Sequence, residues 1–239
     1  MQHQPLSCAV QRLGLIEYTE AWAEQRRLVE ACREDSEARL LLLEHPPTYT
    51  LGARGRQEHL LLANETLAQL GAAVHRTDRG GDVTFHGPGQ LVGYPILDLR
   101  RWGQGPSWYV RSLEAMLIEA LSAFGIAGRQ EPGWPGVWAG DAKIAAIGVR
   151  VSRGVTSHGF ALNVDPDLRY FSYIVPCGLP DVSVTSMGHV LGRAPELEAV
   201  MDAVVEAFGH VFDLRMDEAA GWGEHPVALA ERLPAPTAQ

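Results

Sequence analysis

The chain has 239 residues, 46 % apolar and 21 % charged, which suits one domain of generous size and excludes the composition of a disordered chain. A formal charge of −9 argues against nucleic acid as a broad partner, while leaving room for an acidic protein partner if basic residues gather locally. There is no apolar run long enough to span a bilayer and no basic segment leading into an apolar core at the start. The expectation is therefore a cytoplasmic protein with no membrane association.

Three cysteines, Cys8, Cys32 and Cys177, stand far apart without metal-ligand spacing, as free thiols in a reducing compartment do, and no metal is expected. Of twenty basic residues, nineteen are Arg and one is Lys, at position 143. A codon bias explains an arginine surplus but not the survival of one lysine. Lysine is a compact charge able to lose its proton when buried or beside another cation, so Lys143 is a candidate for proton chemistry.

Taken in order, a first strand around Cys8 leads to a helix over residues 17–34, with Tyr18, Trp22, Val29 and Cys32 on one face. Cys32 is read as a small core residue. Residues 39–44 form a buried strand that ends at His45-Pro46-Pro47, where His45 is read as a turn residue. Residues 48–51 resume the extended chain. Arg54 and Arg56 lie in a polar loop, and Asn64 is predicted to cap a short helix running to Leu70.

Residues 78–99 hold the densest signal, five glycines and two prolines among stretches that read as strand. Val83 and Phe85 alternate with Asp82, Thr84 and His86, and residues 91–97 form a second extended run. Gly87-Pro88-Gly89 turns the chain between them, which taken alone suggests a tight hairpin. An arginine, paired glycines and a histidine so close together suggest instead a wall around a ligand.

A long amphipathic helix follows over residues 106–124, with Val110, Leu113, Leu117, Leu121 and Phe124 as its stripe. Residues 129–136 are loop and 136–139 a short strand. Residues 142–151, apolar on both faces, and 156–164 pair as a hairpin turned by Arg153-Gly154. A last helix begins at Pro195 and runs to about Phe212. The predicted catalytic domain covers residues 1–215, with a tail of unassigned role over 216–239.

Four stretches carry a family resemblance: Arg79-Gly80-Gly81 through Gln90, the Lys143 strand, His158-Gly159-Phe160-Ala161-Leu162-Asn163, and Pro176-Cys177-Gly178. Over about residues 12–215 the chain resembles the lipoate-biosynthesis octanoyltransferases, also called lipoyl(octanoyl) transferases. The resemblance implies an α+β fold, a mixed, mainly antiparallel sheet packed with helices, as in the catalytic domain of biotin and lipoate protein ligases. It also implies acyl-binding walls made of Arg79, Gly80, Gly81, Asp82, Val83, Thr84, Phe85 and His86, of Ala146, Ile147 and Gly148, and of Gly159, Phe160 and Ala161. Small residues at these places leave room for a straight apolar chain, a reading that holds whatever the family. His86 is read as lining that site; His158 is equally well a satisfied polar residue.

Cys177 follows a proline and precedes a glycine, so it sits where a strand breaks and its sulfur can enter a cleft. A thiol with a pKa near 8.5 is only slightly ionised at neutral pH, and a neighbouring ammonium favours the thiolate. The resemblance places Lys143 beside Cys177, a Cys–Lys dyad suited to acyl transfer through an acyl-enzyme thioester. It implies transfer of an octanoyl group from octanoyl-acyl carrier protein to a lysine of a lipoyl domain, with no cofactor. The acceptors would be the lipoyl domains of 2-oxoacid dehydrogenase E2 subunits and the glycine cleavage H protein. Arg54, Arg56, Arg150 and Arg153 are candidates for the basic surface facing the carrier protein. The nearest rival is an ATP-dependent lipoate- or biotin-protein ligase, which shares the fold and the lysine but needs no Cys177. A non-catalytic acyl sensor and a cysteine protease are further from the motifs.

Overall fold

Four consecutive leucines, residues 40–43, explain how the layers stack. Successive side chains of a strand point to opposite faces, so Leu40 and Leu42 enter one core and Leu41 and Leu43 another, all with no exposure. A strand apolar on both faces must be covered on both faces, and the computed structural model, which describes residues 6–175 and 183–219, covers it with helices.

The strands and helices run β1 (Leu6–Leu15), α1 (Tyr18–Asp35), β2 (Ala38–Glu44), β3 (Thr48–Leu51), α2 (Asn64–Gln69), β4 (Ala73–Arg76), β5 (Val83–His86) and β6 (Gln90–Ile96). Then come α3 (Pro106–Ser122), β7 (Gly128–Arg129), β8 (Gly136–Ala139), β9 (Ala142–Ser152) and β10 (Val155–Asn163). The last elements are β11 (Ser183–Val184), α4 (Met187–Leu191), α5 (Leu197–Phe212) and β12 (Leu214–Glu218). The main sheet has the order β12-β1-β2-β6-β10-β9-β8-β7, with β11 also pairing β9. Its pairs from β2 to β7 are antiparallel; β1 pairs parallel with both neighbours. Helices α3 and α5 fill the core on the Leu40 face, and α1 covers the Leu41 face. The fold is thus the expected α+β arrangement. No helix among the described residues is long and apolar enough to cross a membrane.

Three local expectations give way to tertiary packing. The strands flanking Gly87-Pro88-Gly89 do not pair: β5 joins a separate three-stranded sheet, β4-β3-β5, while β6 enters the main one. Asn64 is the first residue of α2 rather than its cap, its Oδ1 accepting from Gln57 Nε2 at 3.4 Å instead. The last helix starts at Leu197, two residues beyond Pro195.

Candidate active site

The β9–β10 hairpin builds the first wall. Arg153 and Gly154 both take positive φ, 52° and 87°, as a two-residue hairpin turn requires, and the resulting register aligns Gly148 with Gly159, Ile147 with Phe160 and Ala146 with Ala161. The two predicted wall segments are therefore cross-strand neighbours. Onto them packs the Arg79–Gly81 loop, where Gly80 N–H donates to the Val149 carbonyl at 2.8 Å. A Cβ on Gly148 would lie 3.1 Å from both the Gly80 carbonyl oxygen and Arg79 Cδ, so a side chain there would force the loop to give way by a few tenths of an ångström.

Between loop and hairpin lies a narrow cavity. Arg79, Gly81, Asp82, Val83, Thr84, His86, Ala146, Ile147, Gly148, Gly159, Phe160 and Ala161 line it, joined by Tyr18, Tyr94 and His158. Gly80 faces the adjoining groove instead. Phe85 turns away, because alternation along β5 points it into a separate core cluster, where it stacks on Tyr170 with ring centroids 4.7 Å apart.

Arg79 is buried and held by donation. Its Nε donates to Thr50 Oγ1 at 3.1 Å, and its Nη2 donates to the carbonyls of Thr50 and Asp82 at 2.6 and 2.7 Å. Thr50 Oγ1 also meets His86 Nε2 at 3.4 Å. Gln90 donates its amide to Phe85 O and Asn163 Oδ1, which leaves its Oε1 to accept from His86 Nδ1–H at 2.8 Å. Asn163 then donates to the Thr185 carbonyl at 2.9 Å, and Thr185 N–H donates to the carbonyl of Lys143 at 2.9 Å. One chain of hydrogen bonds thus runs from the cavity floor to the strand carrying the lysine.

Burial decides the charge state of the cavity. Desolvation, with the charges of His45 and Arg79 adding to it, holds His86 well below the ordinary histidine value. Desolvation pushes His158 down to about 3, with Arg79 and Arg150 adding to the effect. Its Nε2–H donates to Asp78 at 2.7 Å, a carboxylate whose charge Arg150 also engages. Burial lifts the Tyr18 phenol to about 12. The imidazoles and phenols on the wall are therefore neutral at neutral pH, and the guanidinium of Arg79 is already held by the Thr50 and Asp82 oxygens, which lowers the cost of placing an alkyl chain there. His45 lies, as expected, in the connection between β2 and β3. It is fully buried beneath this wall, donating Nδ1–H to the Ile16 carbonyl at 2.7 Å and accepting from the Tyr94 hydroxyl at 2.8 Å.

Through Gly81, Asp82, Ile147 and Gly148 the cavity adjoins a wider groove of about 600 Å³, bordered by Arg54, Arg56, Trp134 and Lys143. Lys143 is only 7 % exposed, and its Nζ sits 4.7 Å from the centre of the Trp138 ring on the paired strand. Of the four arginines proposed for a basic surface, Arg54 and Arg56 border this groove; Arg150 engages Asp78, and Arg153 occupies the hairpin turn. Cys177 lies outside the described residues. The described chain re-enters at Ser183, and Val184 pairs directly with Lys143. The other two cysteines are buried in the cores, and desolvation raises their thiols to about 12 for Cys8 and about 11 for Cys32, so neither is a nucleophile at neutral pH.

Sequence reasoning missed Tyr18 and Tyr94 as cavity residues. Each reads as an ordinary core position of its element, and no local signal distinguishes a ring facing a cavity from one facing a core.

The sequence model of the family described as "Lipoyl protein ligase A/B catalytic domain" matches residues 17–209. An octanoyltransferase from Solibacter usitatus is 50 % identical, over 88 % of this chain and 95 % of its own length. One from Chloroflexus aurantiacus is 51 % identical, over 86 % of this chain and 94 % of its own. Among solved structures, a bipartite lipoate protein ligase from Thermoplasma acidophilum superposes with a TM-score of 0.72, covering 92 % of this chain and 89 % of that one at 14 % identity, a likeness of fold.

Proposed function

This chain belongs to the lipoyl protein ligase A/B catalytic-domain family, and from that premise we propose that it is an octanoyltransferase of lipoate synthesis working through Cys177 and Lys143. The donor is octanoyl-acyl carrier protein. The acceptor is a lysine of a lipoyl domain, in 2-oxoacid dehydrogenase E2 subunits or the glycine cleavage H protein. The reaction belongs to the cytoplasm, where thiols stay reduced.

One observation carries this reading: a narrow cavity, walled by the small residues of the β9–β10 hairpin and by neutral imidazoles and phenols, opens onto a groove bordered by a buried lysine, the only lysine in the chain. The octanoyl tail lies along Ala146–Gly148 and Gly159–Ala161, and its carbonyl reaches the groove. The Cys177 thiolate attacks that carbonyl; the new C–S bond forms as the bond to the carrier's sulfur breaks. The Lys143 ammonium gives its proton to the departing thiolate. The neutral amine then takes the proton from the acceptor's nitrogen as that nitrogen attacks, the amide forms, and the Cys177 thiolate leaves. Thioester exchange is nearly isoenergetic and amide formation runs downhill, so the donor itself supplies the driving force and no nucleotide enters the sequence.

The test is intact-mass analysis after incubation with octanoyl-acyl carrier protein in a chelated, nucleotide-free buffer. One octanoyl adduct is expected, removed by hydroxylamine and missing from Cys177→Ala. Transfer that continues in Cys177→Ala rejects the mechanism, and an absolute need for ATP and magnesium moves the protein to the ligases.

A further inference from the structure

Glu114 is a buried carboxylate that this chemistry leaves without a role. It lies on the inner face of α3, 7 % exposed, beside Leu113 and Met116 of the main core. Its Oε1 accepts the Gly136 N–H at 3.1 Å. Gly136 in turn lies against the lysine: a Cβ built there would stand 2.6 Å from Lys143 Cε and 3.2 Å from Nζ. With φ at 132°, Gly136 holds a backbone conformation that other residues rarely adopt, so the residue that separates carboxylate from ammonium has no side chain to widen the gap. The Trp138 ring bounds the same ammonium at 4.7 Å.

A carboxylate in an apolar setting is costly unless it is hydrogen-bonded and balanced by charge. Desolvation raises Glu114 above its ordinary value of 4.5, while the Gly136 N–H, Lys143 and Arg111 pull it back. The other charged groups nearby are Glu131 on the loop beside α3 and, across the groove from Lys143, Arg54, Arg56, His59 and Asp82.

We propose that Glu114 is a positioning residue for Lys143: it pins Gly136 against the lysine side chain, and its charge stabilises the ammonium that protonates the departing carrier thiolate. This rests on the proton-transfer role of Lys143 given above. The carboxylate touches neither substrate nor thiol and acts only through the lysine.

The experiment compares octanoyl transfer against pH in wild type, Glu114→Gln and Glu114→Asp, all as full chains. Glutamine is isosteric and still accepts from Gly136 N–H, so it removes the charge alone. Glu114→Gln should lower kcat about tenfold, leave KM for the carrier protein within about twofold, and move the alkaline limb of the rate profile down by about half to one pH unit. Glu114→Asp keeps the charge on a shorter arm, so its kcat falls while the limb stays where wild type has it. An alkaline limb unmoved in Glu114→Gln, or moved equally in both variants, overturns the proposal. Loss of cooperative melting by both overturns it too, in favour of a purely structural carboxylate. Lys143→Ala separates the two levels: full activity there sinks the role of the lysine itself, whereas an inactive Lys143→Ala beside an unchanged Glu114→Gln rejects only the inference about Glu114.

Discussion

Replacing Lys143 with arginine separates the two services a cation can render beside a thiol. Arginine keeps the positive charge but stays protonated at any working pH, so it cannot give up and recover a proton within a turnover. The site also resists the larger head. Lys143 is 7 % exposed, with the Trp138 ring 4.7 Å from its Nζ and the Gly136 backbone against its Cε, and a planar guanidinium needs more room than an ammonium. General acid–base catalysis contributes about a hundred- to ten-thousand-fold, equivalent to about 2.7–5.4 kcal/mol of barrier. Lys143→Arg should lose transfer activity on that scale. Its Cys177 should nonetheless alkylate faster at neutral pH than in Lys143→Ala, because the remaining charge still favours the thiolate. Steady-state octanoyl transfer and iodoacetamide labelling against pH, in wild type and both variants, make the measurement. Near-normal turnover by Lys143→Arg refutes the proton-transfer role, and equal thiol reactivity in wild type and Lys143→Ala refutes the charge role.

Acid should weaken the fold through its buried histidines. Desolvation holds His45 at about 4 against an ordinary value of 6.5, so the unfolded chain binds a proton that the folded ring refuses; the stability this contributes is complete above pH 6.5 and lost as pH falls toward 4. The shift corresponds to about 3 kcal/mol. Urea unfolding of wild type and His45→Gln at pH 7.5 and 4.5 should show a smaller loss in the variant, and identical losses reject the assignment. Thr50→Val keeps the shape but removes the hydroxyl that accepts from Arg79 Nε and Nη2, at 3.1 and 2.9 Å, taking two hydrogen bonds from a buried guanidinium. Denaturant melts should register a loss of about 1–3 kcal/mol, and an unchanged midpoint counts against the hydrogen-bonded anchoring of Arg79.

Whatever depends on neighbours along the chain is legible in the sequence. The leucines at 40–43 announce a strand covered on both sides because alternation sends them both ways, and the Arg153-Gly154 turn sets the register that aligns residues 146–148 with 159–161. The only lysine stands out by composition alone, and the fold seats it at the edge of a groove. Which faces meet is a matter for tertiary packing. The glycines at 87 and 89 read as a hairpin turn, yet the strands they join go to different sheets, since a turn residue permits a reversal without choosing a partner. His45 reads as loop in the sequence, but Ile16 and Tyr94 close around it, and Phe85 belongs to the acyl wall by position along β5 while alternation sends its ring into another core. Glu114 is the sharpest case. Hydrophobic periodicity marks the inner face of α3, where a carboxylate looks misplaced, and its partner at Gly136 lies 22 residues away on a strand it meets only in the fold. Local physics selects the element and its buried face; the identity of the group across the gap is a property of packing, which no window of sequence contains.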